Sequence, residues 1–440
     1  MLKFFLWLRY LRKKRIVLLS IAAVALVVSL LTTVSSLFTG FITVFEQSAV
    51  KAMGDIVLDP PMRFSKYPQL IERLEQIGSV EAATGVLSAQ GLLHLGKGNV
   101  RAVSVRGIEP GRQAKVTGFQ QSLIKQGKSS EEPSFEVSGF PEKIGGFVGI
   151  GVLAEPDEQT DKYDFAAVEE MISDEVVLTT GTASGERVRR KIIKAVIADI
   201  VFTGVYELDK SFVYLSIEEL QKELYPEEDG QIANRVQIKL AVGAETDSAL
   251  AQIRGVWGDF ADKQLNWSPY LIRETTIITA KEMQSQYVAE LRKQMRILLF
   301  IFGVVDCSVV LLIICIFYMI VKLKQKDIAI VKSCGASSGS VCFVFVAFGF
   351  CVGIVGSIFG ALLGYVVTTN INAIEECIRK IFGLKLWKSS VYRFSEIPSE
   401  VNWSWASAIV LTAVLAAIAG TLMPAIVAAR TKPVDILRYE

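Results

Sequence analysis

Histidine is almost missing from the 440 residues: His94 is the only one. No CxxC or CxxH spacing occurs either, which excludes a zinc site as the reading of any stretch. The six cysteines all lie late in the chain, at Cys307, Cys315, Cys334, Cys342, Cys351 and Cys377. Residues 46–295 hold none, so no disulfide framework supports that long stretch and burial alone must hold it. Net charge is only +2, which argues against a polyanionic partner; no nucleic acid is expected. His94 sits in the apolar run LLHLG, as a packed or edge histidine does. Gly127-Lys128-Ser129 matches the tail of a phosphate-binding loop, but Ser122 stands where its first glycine belongs, so nucleotide binding there is rejected. The chain reads as a non-enzyme.

What it has in excess is apolar sequence. Hydrophobic residues make up 51% and mean hydropathy is +0.40, above the roughly 45–50% of a soluble domain. The excess is gathered in four nearly chargeless runs. Residues 16–45 carry no charge at all; as a helix they reach about 45 Å, beyond the roughly 30 Å hydrocarbon core. That run is too long for a cleaved signal peptide and lacks an A-x-A site. The others are 296–321, 339–369 and 403–429. Residues 1–15 interleave Lys3, Arg9, Arg12, Lys13, Lys14 and Arg15 with Phe4, Phe5, Trp7, Leu8 and Leu11, the pattern of an interfacial amphipathic helix.

The expected fold is an α-helical membrane protein with four transmembrane helices and a large α+β domain, 46–295, inserted between helices 1 and 2. Short strand-like runs alternate with helical ones there, suggesting two subdomains. Residues 82–95 and 99–107 read as a hairpin around Gly96-Lys97-Gly98. Residues 108–175 are richer in Gly, Pro and charge, and GKSSEEPS near 127–134 reads as a mobile loop. Basic residues place both termini, 1–15 and 430–440, and the linker 322–338 in the cytoplasm; 46–295 and the loop 370–402 then lie outside.

The linker KLKQKDIAIVKSCGASSGS reads as a short amphipathic helix over Lys326, Asp327, Ile328, Val331 and Lys332, with Ile330 on the Ile328 and Val331 face. Gly335, Ala336 and Ser337 end it and begin the next helix. It is a candidate coupling helix. Asp306 stands near mid-depth of the second run, where a carboxylate costs about 2.5–3.5 kcal/mol; it either lines a polar path or interface, or pairs locally. Gly349, Gly353, Gly356, Gly360 and Gly364 stripe the third run, for packing within the chain or between chains. Pro424 frees a carbonyl in the fourth.

The order of one span, a large domain and three spans, with IAIVKSCGAS after the second span and MPAIVAARTKPVDILRYE at the end, resembles the FtsX/MacB-type permeases of ABC transporters. Within that superfamily the chain is most similar to lipoprotein-releasing permeases. LFTGFITVFEQSAVKAMGDIVLD, FTGVYELD with SFVYLSIEELQ, and VYRFSEIPSEVNW carry the likeness. FTGVYELD supplies the outer-domain motif Phe202, Gly204, Tyr206 and Asp209. The resemblance implies a mechanotransmission machine in the inner membrane. A cytoplasmic ABC ATPase dimer would bind ATP and Mg, so this chain holds no cofactor itself. A second permease subunit, identical or not, completes it. Membrane lipid, a lipoprotein and a periplasmic acceptor or adaptor are the further partners. The lipid tails of the cargo would lie beside Leu30, Val34 and Phe38 of the first span and Phe302 and Asp306 of the second. Rival readings are export of a small amphiphile or glycolipid through an adaptor, ATP-dependent regulation of a cell-wall hydrolase, and a non-ABC sensor, which the coupling motif disfavours.

Overall fold

The computed structural model describes residues 15–431, except 97, 138, 139, 141, 185, 186 and 229. The expected interfacial helix and the terminal tail lie outside the described residues, apart from Arg15, Arg430 and Thr431. Among the described residues, four helices are long and apolar enough to cross a membrane: α1 (Arg15–Met53), α4 (Ser285–Leu323), α6 (Ser338–Thr369) and α8 (Trp403–Arg430). Between them stand α2 (Tyr67–Glu75) and α3 (Thr246–Lys263) in the α+β region, α5 (Gln325–Ser333), and α7 (Ile371–Phe382). The chain divides into two compact units. One takes the described residues up to Thr43, Val288–Cys377 and those from Ile397 on; the other takes Val44–Tyr287 and Ile378–Glu396.

The first unit is helical. α1 and α4 have 39 residues each, about 58 Å at 1.5 Å per residue, so each outruns a hydrocarbon core. Val24, Val28, Ile313, Phe317, Phe348, Val352, Ile409 and Ala417 form a common buried cluster drawn from all four long helices. The glycine stripe of α6 is spent inside the chain and serves two neighbours. A Cβ at Gly353 would stand 3.0 Å from Ala417 Cβ on α8, and one at Gly356 would stand 2.8 Å from Val24 Cβ on α1. Gly360 and Gly364 face α1 as well. Such close approach is what small residues permit where no water drives helices together. α8 continues through the buried Pro424.

The second unit is built on eleven strands: β1 (Ile56–Asp59), β2 (Phe64–Ser65), β3 (Val80–His94), β4 (Val100–Ile108), β5 (Ile144–Gly149), β6 (Glu175–Ser184), β7 (Arg187–Val201), β8 (Phe212–Ser216), β9 (Ile232–Ala233), β10 (Arg235–Leu240) and β11 (Thr276–Thr279). Nine form one sheet in the order β11-β1-β10-β3-β4-β8-β5-β7-β6, and β6 pairs back onto β3. The first half of β3 pairs with β10 and its second half with both β4 and β6. So β3 leaves an open antiparallel sheet and enters a closed ring of six strands. Where two subdomains were expected, two sheet portions share this one strand and fall in one compact unit. Tyr67, Leu70, Ile71 and Leu74 of α2 and Ile253, Trp257 and Phe260 of α3 are buried in the same apolar core as both portions, at the i, i+3, i+4 spacing of a helix with one buried face.

The β3–β4 hairpin stands where it was expected. Gly96 and Gly98 have φ of +84° and +80°, a left-handed turn that glycine accommodates without strain. His94 pairs through Nε2 with Thr179 Oγ1 at 3.0 Å, across the β3–β6 contact.

Residues 108–175 hold a strand that the sequence did not single out, and the loop expected at 127–134 is held in place. β5, IGGFVG, is a buried central strand. The 127–134 stretch is bracketed rather than loose: Gln120 Nε2 donates to Ser129 and Glu131 carbonyls, and the Gln126 side chain bonds Ser134 at both its N–H and its carbonyl. Gly127-Lys128 lies in a single 3-10 turn and opens no helix. The turn before it is held by the fully buried Asp199, whose carboxylate accepts from Lys125 N, Gln126 N and Ile200 N.

Candidate functional site

The linker between α4 and α6 folds as α5. Its C-terminus stops at Gly335, which has φ +94°. Gly335 N–H donates to the Lys332 carbonyl and Ala336 N–H to the Val331 carbonyl, the glycine stop that closes orphan carbonyls. Ser337 then caps α6, its side chain accepting from Ser340 N.

The packed face of α5 is Ile328 and Ala329. Ile328 joins Val321, Val341 and Ala428 in a buried cluster, and Ala329 beside it is fully buried. The sequence pattern put Ile330 and Val331 on that face, but Ile330 is 52% and Val331 46% exposed. The reason is angular. At 3.6 residues per turn, a face centred between 328 and 329 lies about 110° from Val331 and about 150° from Ile330. Lys326 is exposed, and Asp327 pairs with Lys324. Lys332 Nζ donates to the carbonyls of Ala429 and Thr431, both at 2.8 Å. α5 is thus tied at one side to the end of α8 and leaves an apolar rim of Ile330 and Val331 open, flanked by a cation. Leu323, 62% exposed at the end of α4, adds to the exposed apolar residues near this linker. It was not foreseen, because in the sequence it is a lone leucine between Lys322 and Lys324 at the start of the linker.

The candidate cavity residues form one stripe on each helix. Leu30, Val34 and Phe38 lie four apart along α1, and Phe302 and Asp306 lie four apart along α4. Leu30 is exposed and the other four are half-buried. None belongs to the shared apolar cluster, whose fringe reaches Leu31 and Val309. Phe300, Ile301 and Val304 around them on α4 are exposed.

The FTGVYELD motif is a docking turn. Gly204 has φ +75°, and Asp209, 2% exposed, closes the turn. Its carboxylate accepts from Thr203 N and Thr203 Oγ1 at 2.7 Å and from Gly204 N at 3.1 Å. Burial pushes the Asp209 carboxyl up to about 6, against those three hydrogen bonds, which favour the ionised form. Phe202 packs edge-on to Tyr163 and Phe165. The turn presents Val205 to Phe394 as an antiparallel bridge, and Tyr206 N donates to the Arg393 carbonyl at 2.9 Å. A cavity of about 310 Å³ lies alongside, lined by Tyr163, Phe165, Phe202, Gly204, Tyr206, Asp209 and Ser389 among others.

Arg393 was not singled out by the sequence. It takes a left-handed φ of +68°, and its guanidinium stands 4.9 Å from the Tyr287 ring centroid and 6.0 Å from that of Phe45. The two rings are 4.6 Å apart. In this unit the motif therefore meets the 387–396 segment at the Arg393 backbone, and the C-terminal end of α1 and the N-terminal end of α4 meet it at the Arg393 guanidinium. The only advance signal was the VYRFSEIP stretch itself.

Comparison with known proteins shows what this arrangement is similar to. Residues 298–433 match the model described as the FtsX-like permease C-terminal domain. The lipoprotein-releasing system transmembrane protein LolC of Neisseria meningitidis serogroup B is 26% identical over 452 aligned positions, covering 98% of each chain. The lipoprotein-releasing system transmembrane protein LolE of Haemophilus influenzae is 25% identical over 378 positions, covering 84% of this chain and 80% of its own. The crystal structure of the periplasmic region of MacB from Actinobacillus actinomycetemcomitans superposes with a TM-score of 0.33 at 12% identity, covering 54% of this chain and 95% of that one. Over residues 298–433 the chain is thus similar to FtsX-like permeases, and along nearly its whole length it resembles the transmembrane proteins of lipoprotein-releasing systems.

Proposed function

We propose that the chain is the permease subunit of an ATP-driven transporter that lifts lipoproteins out of the inner membrane and passes them to an acceptor outside it. The observation that carries the coupling half is α5. Its Ile328 side is packed and its end is hydrogen-bonded to α8, while Ile330 and Val331 face away from the protein. A helix fixed on one side and apolar on the other suits a docked partner that pushes on it. That partner is an ABC ATPase dimer on the cytoplasmic side, which brings the ATP and Mg. A second permease subunit completes the pair. The cargo half rests on the near full-length likeness to lipoprotein-releasing proteins.

The energetics fit an ATP-coupled machine. Withdrawing acyl chains costs about 0.8 kcal/mol per CH₂, which for several chains exceeds what thermal motion supplies. Motion entering at α5 would pass into the helices it contacts, and the lipid tails of the cargo would lie against the Leu30, Val34 and Phe38 stripe and the Phe302 and Asp306 stripe.

Aspartate at Ile328 would unpack α5, so the docking test belongs on the open rim. In the purified complex, Ile330→Asp with Val331→Asp is expected to abolish ATP-dependent lipoprotein release while leaving the permease folded. Unchanged release, or a chain that never co-purifies with a nucleotide hydrolase, would end this reading.

A further inference from the structure

Residues 379–388, the stretch Arg379-Lys-Ile-Phe-Gly-Leu-Lys-Leu-Trp-Lys388, contain four cations and no acid. Ile381, Phe382, Leu384 and Leu386 within it are 68%, 69%, 60% and 57% exposed. Gly383, at φ +67°, ends α7 by donating its N–H to the Arg379 carbonyl and turns the chain there. Four large apolar side chains within six residues, left open between cations, are out of place on a surface that meets only water. They match a lipid–water boundary, where apolar groups enter the acyl region and cations meet anionic headgroups.

The chain position says which surface is in reach. α6 ends at Thr369 and α8 begins at Trp403, so the stretch is strung between two membrane-length helices. α7 has 12 residues, a length of about 18 Å. Trp387 holds the far end of the stretch. Its Nε1 donates to the Phe394 carbonyl at 2.9 Å, and its ring stacks on Tyr392 with centroids 4.0 Å apart.

We propose that residues 379–388 are a membrane-surface anchor for anionic phospholipid. Ile381, Phe382, Leu384 and Leu386 enter the headgroup–acyl boundary, and Lys388 meets the lipid phosphates. The anchor rests on the reading of the long apolar helices as membrane spans.

The test is photocrosslinking in the full chain. Benzoylphenylalanine is placed at the positions of Phe382 and Leu384, and as a control at Leu411, an exposed residue in α8. The protein is reconstituted in bilayers of phosphatidylcholine and phosphatidylglycerol, illuminated, and its adducts are read by mass spectrometry. Lipid adducts are expected at all three positions, with phosphatidylglycerol in excess over its share of the bilayer at 384. Lys388→Gln should reduce that excess about fivefold and leave the adducts at 411 unchanged. Lipid at 411 with a second polypeptide, or no adduct, at 382 and 384 would overturn the anchor and leave the spans standing. Loss of lipid at 411 as well would overturn both.

Discussion

Lys332 reaches from α5 to the end of α8, where its ammonium donates to the Ala429 and Thr431 carbonyls at 2.8 Å each. Carbonyls at a helix C-terminus have no partner within the helix, and a cation there also meets the negative end of the helix dipole. This contact ties the end of α5 to the end of α8. Lys332→Met keeps the aliphatic stem and removes both bonds, and should cost about 1–3 kcal/mol. Amide exchange around Ala428 and in α5 should quicken together. Faster exchange in α8 alone would mean that Lys332 is only a cap and does not tie the two helices.

Gly360 sets how closely α1 and α6 approach. A Cβ there would stand 2.6 Å from the Ala25 carbonyl oxygen and 2.7 Å from Val28 Cβ. Both obstacles belong to helix backbone or to a β-branched side chain, so neither gives way cheaply. Gly360→Leu should force the helices apart and cost about 1–3 kcal/mol, seen as a lower unfolding temperature in detergent. Gly303 on α4 has nothing within 4 Å of its Cβ position, so Gly303→Ala should bring no loss. Equal behaviour of the two variants would remove the packing role of the stripe.

These contacts show which parts of the fold could be read from residues alone. The four apolar helices, the Gly335 stop and the Ser337 cap follow from composition and local chemistry, and each stands close to where the pattern put it. The assignment of the glycine stripe to α8 and α1 in turn did not follow, because spacing gives a face and not a neighbour. β5 was hidden for a related reason. Its glycines weaken any strand signal, yet a Cβ at Gly145 or Gly149 would strike the backbone of Phe135 or Asp209. The docking of FTGVYELD onto Arg393 and Phe394 spans nearly 190 residues of sequence, and no local pattern reports a contact of that range.

Asp209 gives the second unit a pH dependence. Its carboxyl rises from 3.8 to about 6 on folding, chiefly through burial. Between those values the folded protein keeps a proton that the unfolded chain gives up. Stability therefore falls as pH rises from about 4 to about 6, by up to about 3 kcal/mol, and is level above that window. Asp209→Asn keeps an acceptor oxygen and has nothing to titrate, so the slope should vanish. Asp209→Ala leaves the Thr203 and Gly204 N–H groups unpaired and should cost about 1–3 kcal/mol throughout. Unfolding temperature against pH for the three proteins decides it, and a slope that survives in the asparagine variant would assign the titration elsewhere.

Arg393 combines two roles that substitution can separate. Its carbonyl accepts from Tyr206 N, and its guanidinium stands over Tyr287 and near Phe45. Its left-handed backbone costs an arginine about 1 kcal/mol that glycine does not incur, so Arg393→Gly should keep the backbone bond and lose only the cation over the rings. A cation–π contact of about 0.5–1 kcal/mol corresponds to a two- to fivefold loss of amide-exchange protection in residues 44–53 of α1, with Tyr206 N–H protection unchanged. Arg393→Lys retains a charge and should recover part of the loss. If protection of 44–53 is the same in all three proteins, the ring contacts contribute nothing. The 387–396 segment would then be held by its backbone bonds alone, and α1 would not depend on it.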